Sequence, residues 1–106
     1  MKKIESILRV EKLKDVTDAL REAGIGGMTV SEVRGFGVQT TRPESFLFVP
    51  KVKIEIYVSD SQVKEIVAAI VKQCASGKLG DGKVAILPVD DCIRVRTGER
   101  GKKALF

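Results

Sequence analysis

The segment from 76 to 83 reads Ser-Gly-Lys-Leu-Gly-Asp-Gly-Lys. Three glycines within six residues let backbone N–H groups converge on an anion, and Lys78 and Lys83 add positive charge. The pattern is not a Walker A loop, because its glycine spacing differs, no Ser or Thr follows Lys83, and the apolar run behind it predicts a strand. The plain alternative is a helix-to-strand connection in which Gly77 ends a helix and Asp81-Gly82 turns. A second feature follows at Ile93-Arg94-Val95-Arg96. Read as a strand over 92–96, it sets Arg94 and Arg96 on one face, roughly 7 Å apart, spaced to grip neighbouring phosphates. Two arginines on a solvated strand would look the same.

The charge budget agrees with an anion site in this third of the chain. The protein has 106 residues, with 19 Lys+Arg against 14 Asp+Glu and a formal charge of +5. From 76 to 106 the seven basic residues (Lys78, Lys83, Arg94, Arg96, Arg100, Lys102, Lys103) outweigh four acidic ones. There is no His, which removes the usual catalytic base and the commonest zinc ligand. Asp90-Asp91 are adjacent and read as a turn rather than an acid/base pair, so no catalytic constellation assembles and an enzyme is not expected. Two cysteines are too few for a disulfide framework and point to a reducing, cytoplasmic setting. Cys74 falls on an apolar helix face, whereas Cys92 precedes the Arg segment with no base beside it. The start, Met1-Lys2-Lys3-Ile4-Glu5, is charged too early for a secretory signal, and no apolar run is long enough to span a membrane.

The elements that position these residues follow from periodicity. Segment 3–10 reads as a strand with Ile4, Leu8 and Val10 on one face. Segment 12–23 is an amphipathic helix through Leu13, Val16, Ala19, Leu20 and Ala23, stopped by Gly24. Strands are predicted over 28–34, 51–58 and 83–88, and Val52, Ile54, Ile56 and Val58 give the cleanest alternation. Ser59-Asp60-Ser61-Gln62 has the form of a capping box ahead of a helix burying Val63, Ile66, Val67, Ile70 and Cys74. The order strand, helix, strand, strand, helix, strand predicts a single α+β domain over 1–106, a ferredoxin-like βαββαβ sandwich with a four-stranded antiparallel sheet. Its second face, with Glu5, Ile7, Lys53, Glu55, Tyr57, Arg94 and Arg96, would be open, and self-association is a natural way to cover it.

Two further segments need weighing. Arg34-Gly35-Phe36-Gly37-Val38 opens like an RNA-recognition motif but lacks its aromatic continuation, and five aromatics are thin for base stacking. The 36–50 connection is long for a link between consecutive strands, and such loops are usually functional. Its end, Phe46-Leu47-Phe48-Val49-Pro50, could be a docking segment or simply the start of the next strand.

Taken together, these stretches closely resemble the PII nitrogen-regulatory signal proteins. The likeness runs through Met1-Lys2-Lys3-Ile4-Glu5, Gly27-Met28-Thr29-Val30-Ser31-Glu32-Val33-Arg34-Gly35-Phe36-Gly37 and Pro50-Lys51-Val52-Lys53-Ile54-Glu55. Its most specific parts are Gly77-Lys78-Leu79-Gly80-Asp81-Gly82-Lys83, which resembles the family's B-loop, and Ile93-Arg94-Val95-Arg96-Thr97-Gly98-Glu99, which resembles its C-loop. The resemblance implies a homotrimer with an adenine nucleotide (ATP, ADP or AMP) in each cleft between neighbours. Gly80, Asp81, Gly82 and Lys83 would cradle phosphates, and Arg94 and Arg96 would reach them from the adjacent subunit. Ile7, Thr29, Gly35, Phe36 and Gly37 would shape the adenine and ribose side, while Gln39 and Lys51 would help bind ATP with magnesium and 2-oxoglutarate.

The departures matter too. The T-loop, at about 37–50, is shorter than usual and holds no Tyr for uridylylation; Val38 stands where an Arg is common, and Val10-Glu11 where Pro-Phe is common. These changes resemble trimmed PII-like variants, including carboxysome-linked sensors of ADP or AMP with bicarbonate. The resulting expectation is a signalling protein that regulates a protein or membrane-transporter target through the 37–50 loop. Nucleic-acid binding is not expected, an RNA-binding module or a slow ATPase being the competing classes.

Overall fold

Ten residues of alternating pattern, Val49–Val58, form the central strand β3. Val52, Ile54, Ile56 and Val58 are all buried on one face. A computed structural model of the chain describes residues 1–37 and 47–105. Beside β3 lie β1 (Lys2–Leu8), β2 (Thr29–Gly35) and β4 (Lys83–Pro88), all antiparallel, in the order β2-β3-β1-β4. Helices α1 (Leu13–Glu22) and α2 (Val63–Cys74) cover the apolar face. The core is Ile4 and Leu8 from β1 and the four β3 residues, closed by Val16, Leu20, Ile66, Ile70 and Cys74 from the helices. Each large side chain buried there contributes about 1.5–3 kcal/mol by leaving water. This is the predicted ferredoxin-like sandwich.

Local signals explain the element ends. Gly24 (φ +85°) terminates α1, with its N–H on the Arg21 carbonyl and the Ile25 N–H on the Leu20 carbonyl. That pair of bonds is a Schellman ending, and Ile25 packs back onto the core as the motif requires. At the entry to α2 the Ser59 N–H donates to Gln62 Oε1 at 3.2 Å, closing the expected capping box around the turn Asp60–Gln62.

Two expectations are corrected. Val10 is not on β1: the strand ends at Leu8, and Val10–Lys12 form a 3-10 turn that leaves Val10 half exposed. More importantly, 92–96 is not a strand. Ile93 makes one isolated antiparallel bridge to Arg100, and the chain reverses between them. Gly98 (φ +75°) allows the reversal, its N–H bonding the Arg94 carbonyl at 2.7 Å while the Arg94 N–H bonds the Glu99 carbonyl at 2.9 Å. Val95 is 98% exposed, so this run has no apolar face to dock and local turn chemistry decides. Arg94 and Arg96 therefore do not share the face of a strand, nor do they belong to the open face of the sheet.

That open face carries instead a mixed-charge cluster on β1 and β3. Lys3 reaches Glu55 at 2.6 Å and Glu5 at 3.7 Å, and Lys53 lies 3.8 Å from Glu5 and 3.9 Å from Glu55. The ion pair with Lys3 holds the Glu55 carboxyl below its ordinary range.

Candidate functional site

The glycine-rich loop connects α2 to β4, and Gly77, Gly80 and Gly82 all adopt positive φ (+79°, +98° and +96°). Only glycine takes this conformation cheaply, so the spacing seen in the sequence is a backbone requirement. Asp81 organises the loop from within. Its carboxylate accepts the Ser76 amide at 2.7 Å, the Ser76 hydroxyl at 2.5 Å and the Gly77 amide at 3.0 Å. It also accepts Arg9 Nη1 at 2.6 Å. The Ser76 hydroxyl and amide, then Arg9 and the Gly77 amide, hold the Asp81 carboxyl well below the usual carboxylate range.

Two more cation contacts fix the carbonyls of the loop: Arg9 Nη2 donates to Leu79 O at 2.8 Å and Lys51 Nζ to Gly80 O at 3.0 Å. Carbonyls turned toward Arg9 and Lys51 leave the Gly80 and Asp81 amides without a protein acceptor among the described residues. That is how a backbone anion nest is made. Lys83 opens β4 opposite Ile7 of β1, with its side chain exposed. Gly35 ends β2 opposite Val49, and the exposed rings of Phe36 and Phe48 meet edge to face at 5.2 Å. Ile7, Gly35, Phe36, Gly37, Lys51 and Gly80–Lys83 thus cluster at one end of the sheet. Val49-Pro50 begin β3, whereas Phe46, Val38 and Gln39 lie outside the described residues.

The other candidates lie away from this end. Thr29 begins β2 opposite Glu55. With Gly27, Glu55, Tyr57, Cys92 and Leu105 it lines a cavity of about 240 Å³. Arg94 belongs to the same C-terminal turn, where Nη1 pairs with Glu99 and Nη2 donates to the Lys103 carbonyl, both at 2.5 Å. Arg96 is exposed at the tip of the turn. β4 covers the distance between the ends: Lys83 pairs with Ile7 and Pro88 with Lys2. Six residues at a strand rise span about 17 Å. In the chain, Arg94 and Arg96 follow the far end of β4 from Gly80–Lys83, and Thr29 and Gly35 stand at opposite ends of β2. A larger, shallower depression of about 720 Å³ on the outer face of the helices, lined by Asp15, Asp18, Arg21 and Glu22, holds none of the candidate residues.

Sequence reasoning missed Arg9 and Ser76, whose roles depend on contacts across the fold and within a loop, and Glu99, which engages Arg94. Among the described residues no group of three His, Cys, Asp or Glu is placed to hold a metal ion, and no helix is long and apolar enough to cross a membrane.

The sheet order and the two helices on one face define a ferredoxin-like βαββαβ subunit. Sequence comparison places it more narrowly. The family described as nitrogen regulatory protein P-II matches residues 1–99, and the chain belongs to that family. It is 46% identical to the nitrogen regulatory protein P-II of Pasteurella multocida, over 99% of this chain and 100% of that one. To nitrogen regulatory protein P-II 2 of Methanothermobacter thermautotrophicus it is 49% identical, over 99% and 97% of the two chains. The crystal structure of Arabidopsis thaliana PII bound to citrate superposes with a TM-score of 0.84 at 46% identity, covering 98% of this chain and 88% of that one.

Proposed function

We propose that this signal-transduction protein senses adenine nucleotides as a homotrimer and passes the signal to a partner protein through the loop at about 37–50. The observation that carries the reading is the separation of the half-sites. Gly80, Asp81, Gly82 and Lys83 would form a phosphate nest where β4 begins, and Arg94 and Arg96 follow the strand's far end in the chain. Association of one copy's loop end with the next copy's tail end completes the site, and such a heterologous contact closes into a ring. The 240 Å³ cavity beside Thr29 and Tyr57 is of a size to take the base. Arg94 and Arg96 would then meet the phosphates from across the cleft.

Lys51, whose ammonium touches the loop at Gly80, would bind a carboxylate as second ligand. The citrate on the Arabidopsis relative belongs to the same chemical class as 2-oxoglutarate. With relatives named as nitrogen regulators, this favours 2-oxoglutarate over bicarbonate and a nitrogen role over a carboxysome one. Magnesium would arrive with ATP, and Gln39, the residue expected to help hold it, lies outside the described residues. Nucleotide can move the partner equilibrium only by its unequal affinity for the loop's conformations.

Calorimetric titration with ATP, ADP and AMP, each with and without magnesium, 2-oxoglutarate and bicarbonate, tests the reading. Binding of at least one nucleotide, tightened by 2-oxoglutarate, is expected. Absence of binding by all three would contradict it.

A further inference from the structure

We infer that Arg9 is a positioning residue for the nucleotide's phosphates, acting through Asp81. The inference rests on the nucleotide reading above and deepens it. Arg9 stands just past β1, and its guanidinium spends both terminal nitrogens on the glycine loop: Nη1 on Asp81 at 2.6 Å, Nη2 on Leu79 O at 2.8 Å. The Arg9 and Asp81 side chains are each only 23% exposed, so the pair is largely shielded. The fit is close: a Cβ on Gly80 would stand 3.0 Å from Arg9 Nη2. A planar fork binding a carboxylate and a carbonyl together fixes orientation as well as distance, which a lysine cannot reproduce.

Two consequences follow for an incoming phosphate. Arg9 holds the Leu79 carbonyl turned away, so the amides that come next in the loop keep their aim. It also neutralises Asp81, the loop's one carboxylate, which would otherwise repel the anion the loop is shaped to receive. Ser76 alone cannot replace it, because a hydroxyl and an amide satisfy the carboxylate's hydrogen bonds without cancelling its charge.

The test is a binding cycle on the full-length protein. Arg9→Met removes the charge and the fork at similar length, Asp81→Asn removes the partner charge, and the double variant closes the cycle. ATP and adenosine affinities are read by competition against a fluorescent ATP analogue, with folding checked by thermal melting. Arg9→Met should weaken ATP roughly tenfold or more while leaving adenosine unchanged, since only the phosphate-dependent part of affinity is touched. Arg9→Lys, which keeps the charge but not the fork, should fall between and serves if Arg9→Met does not fold. The double variant should bind ATP no worse than the weaker single variant, because both changes break one unit. Equal losses for ATP and adenosine would reduce Arg9 to a general structural role, and additive losses would mean that it acts independently of Asp81. Either result, or unchanged ATP affinity, overturns the inference. A wild-type protein that binds no nucleotide would instead remove the underlying functional reading and this one with it.

Discussion

A Cβ built on Gly82 would stand 1.7 Å from the carbonyl oxygen of Ile7. The glycine loop is thus pressed directly on the backbone of β1, at the point where β4 begins to pair with it. Gly77 has a similar left-handed φ, but a Cβ there meets open space. The same substitution should therefore give different results at the two positions. Gly77→Ala should cost about 1–2 kcal/mol, the ordinary penalty for an L-residue in this conformation. Gly82→Ala must also push two strands apart, so it should lower Tm by clearly more and abolish nucleotide binding. Thermal melting of both variants checks this; equal melting points would mean that the contact with Ile7 is not rigid.

Acid stability should report the Asp81 network. Its carboxyl is held below the ordinary value by Ser76, Arg9 and Gly77. The folded pKa lies below the unfolded one, so this contribution is fully present above the unfolded pKa and is lost as pH falls toward the folded one. Wild type should exceed Asp81→Asn in stability at pH 7, and the gap should narrow below about pH 4. Urea titrations across that range measure the difference. A gap that persists unchanged at low pH would contradict the assignment.

Much of this fold was legible because it rests on patterns with a local cause. Val52, Ile54, Ile56 and Val58 alternate because β3 has one dry face, and Gly24 ends α1 because the chain needs a left-handed residue there. The run from 92 to 96 alternates as well, yet alternation without a face to bury is no strand signal. Thr97-Gly98 decides the local structure instead. In the candidate site, Gly80 and Gly82 were readable as backbone requirements. Arg9 was not, because its partner Asp81 is 72 positions away and no spacing rule connects them. The distance between Gly80–Lys83 and Arg94–Arg96 was hidden for a different reason. Their closeness in sequence spans a whole strand, and β4 carries the chain from one end of the sheet to the other.

The two cysteines should differ in reactivity. Cys74 is buried in the core, and burial pushes its thiol up, whereas Cys92 is partly exposed and lines the cavity proposed for the base. Iodoacetamide should modify Cys92 in the folded protein and Cys74 only after unfolding. Saturating ATP should slow labelling at Cys92. Mass spectrometry of the labelled peptides decides the matter, and no protection by ATP would place the base elsewhere.

The central claim is that each nucleotide site takes its phosphate loop from one copy and its arginines from the next, and mixing two defective variants tests it most directly. Lys83→Ala damages the loop half, and Arg96→Ala damages the tail half while sparing Arg94 and its contacts with the C-terminal segment. Each variant alone should bind ATP poorly. Unfolded together in equal amounts and refolded, they should recover tight binding in about a quarter of the sites, the random share in which two intact halves meet. Calorimetric stoichiometry reads that fraction. No recovery in the mixture, with both variants folded and assembled, would mean that the half-sites of different copies do not combine.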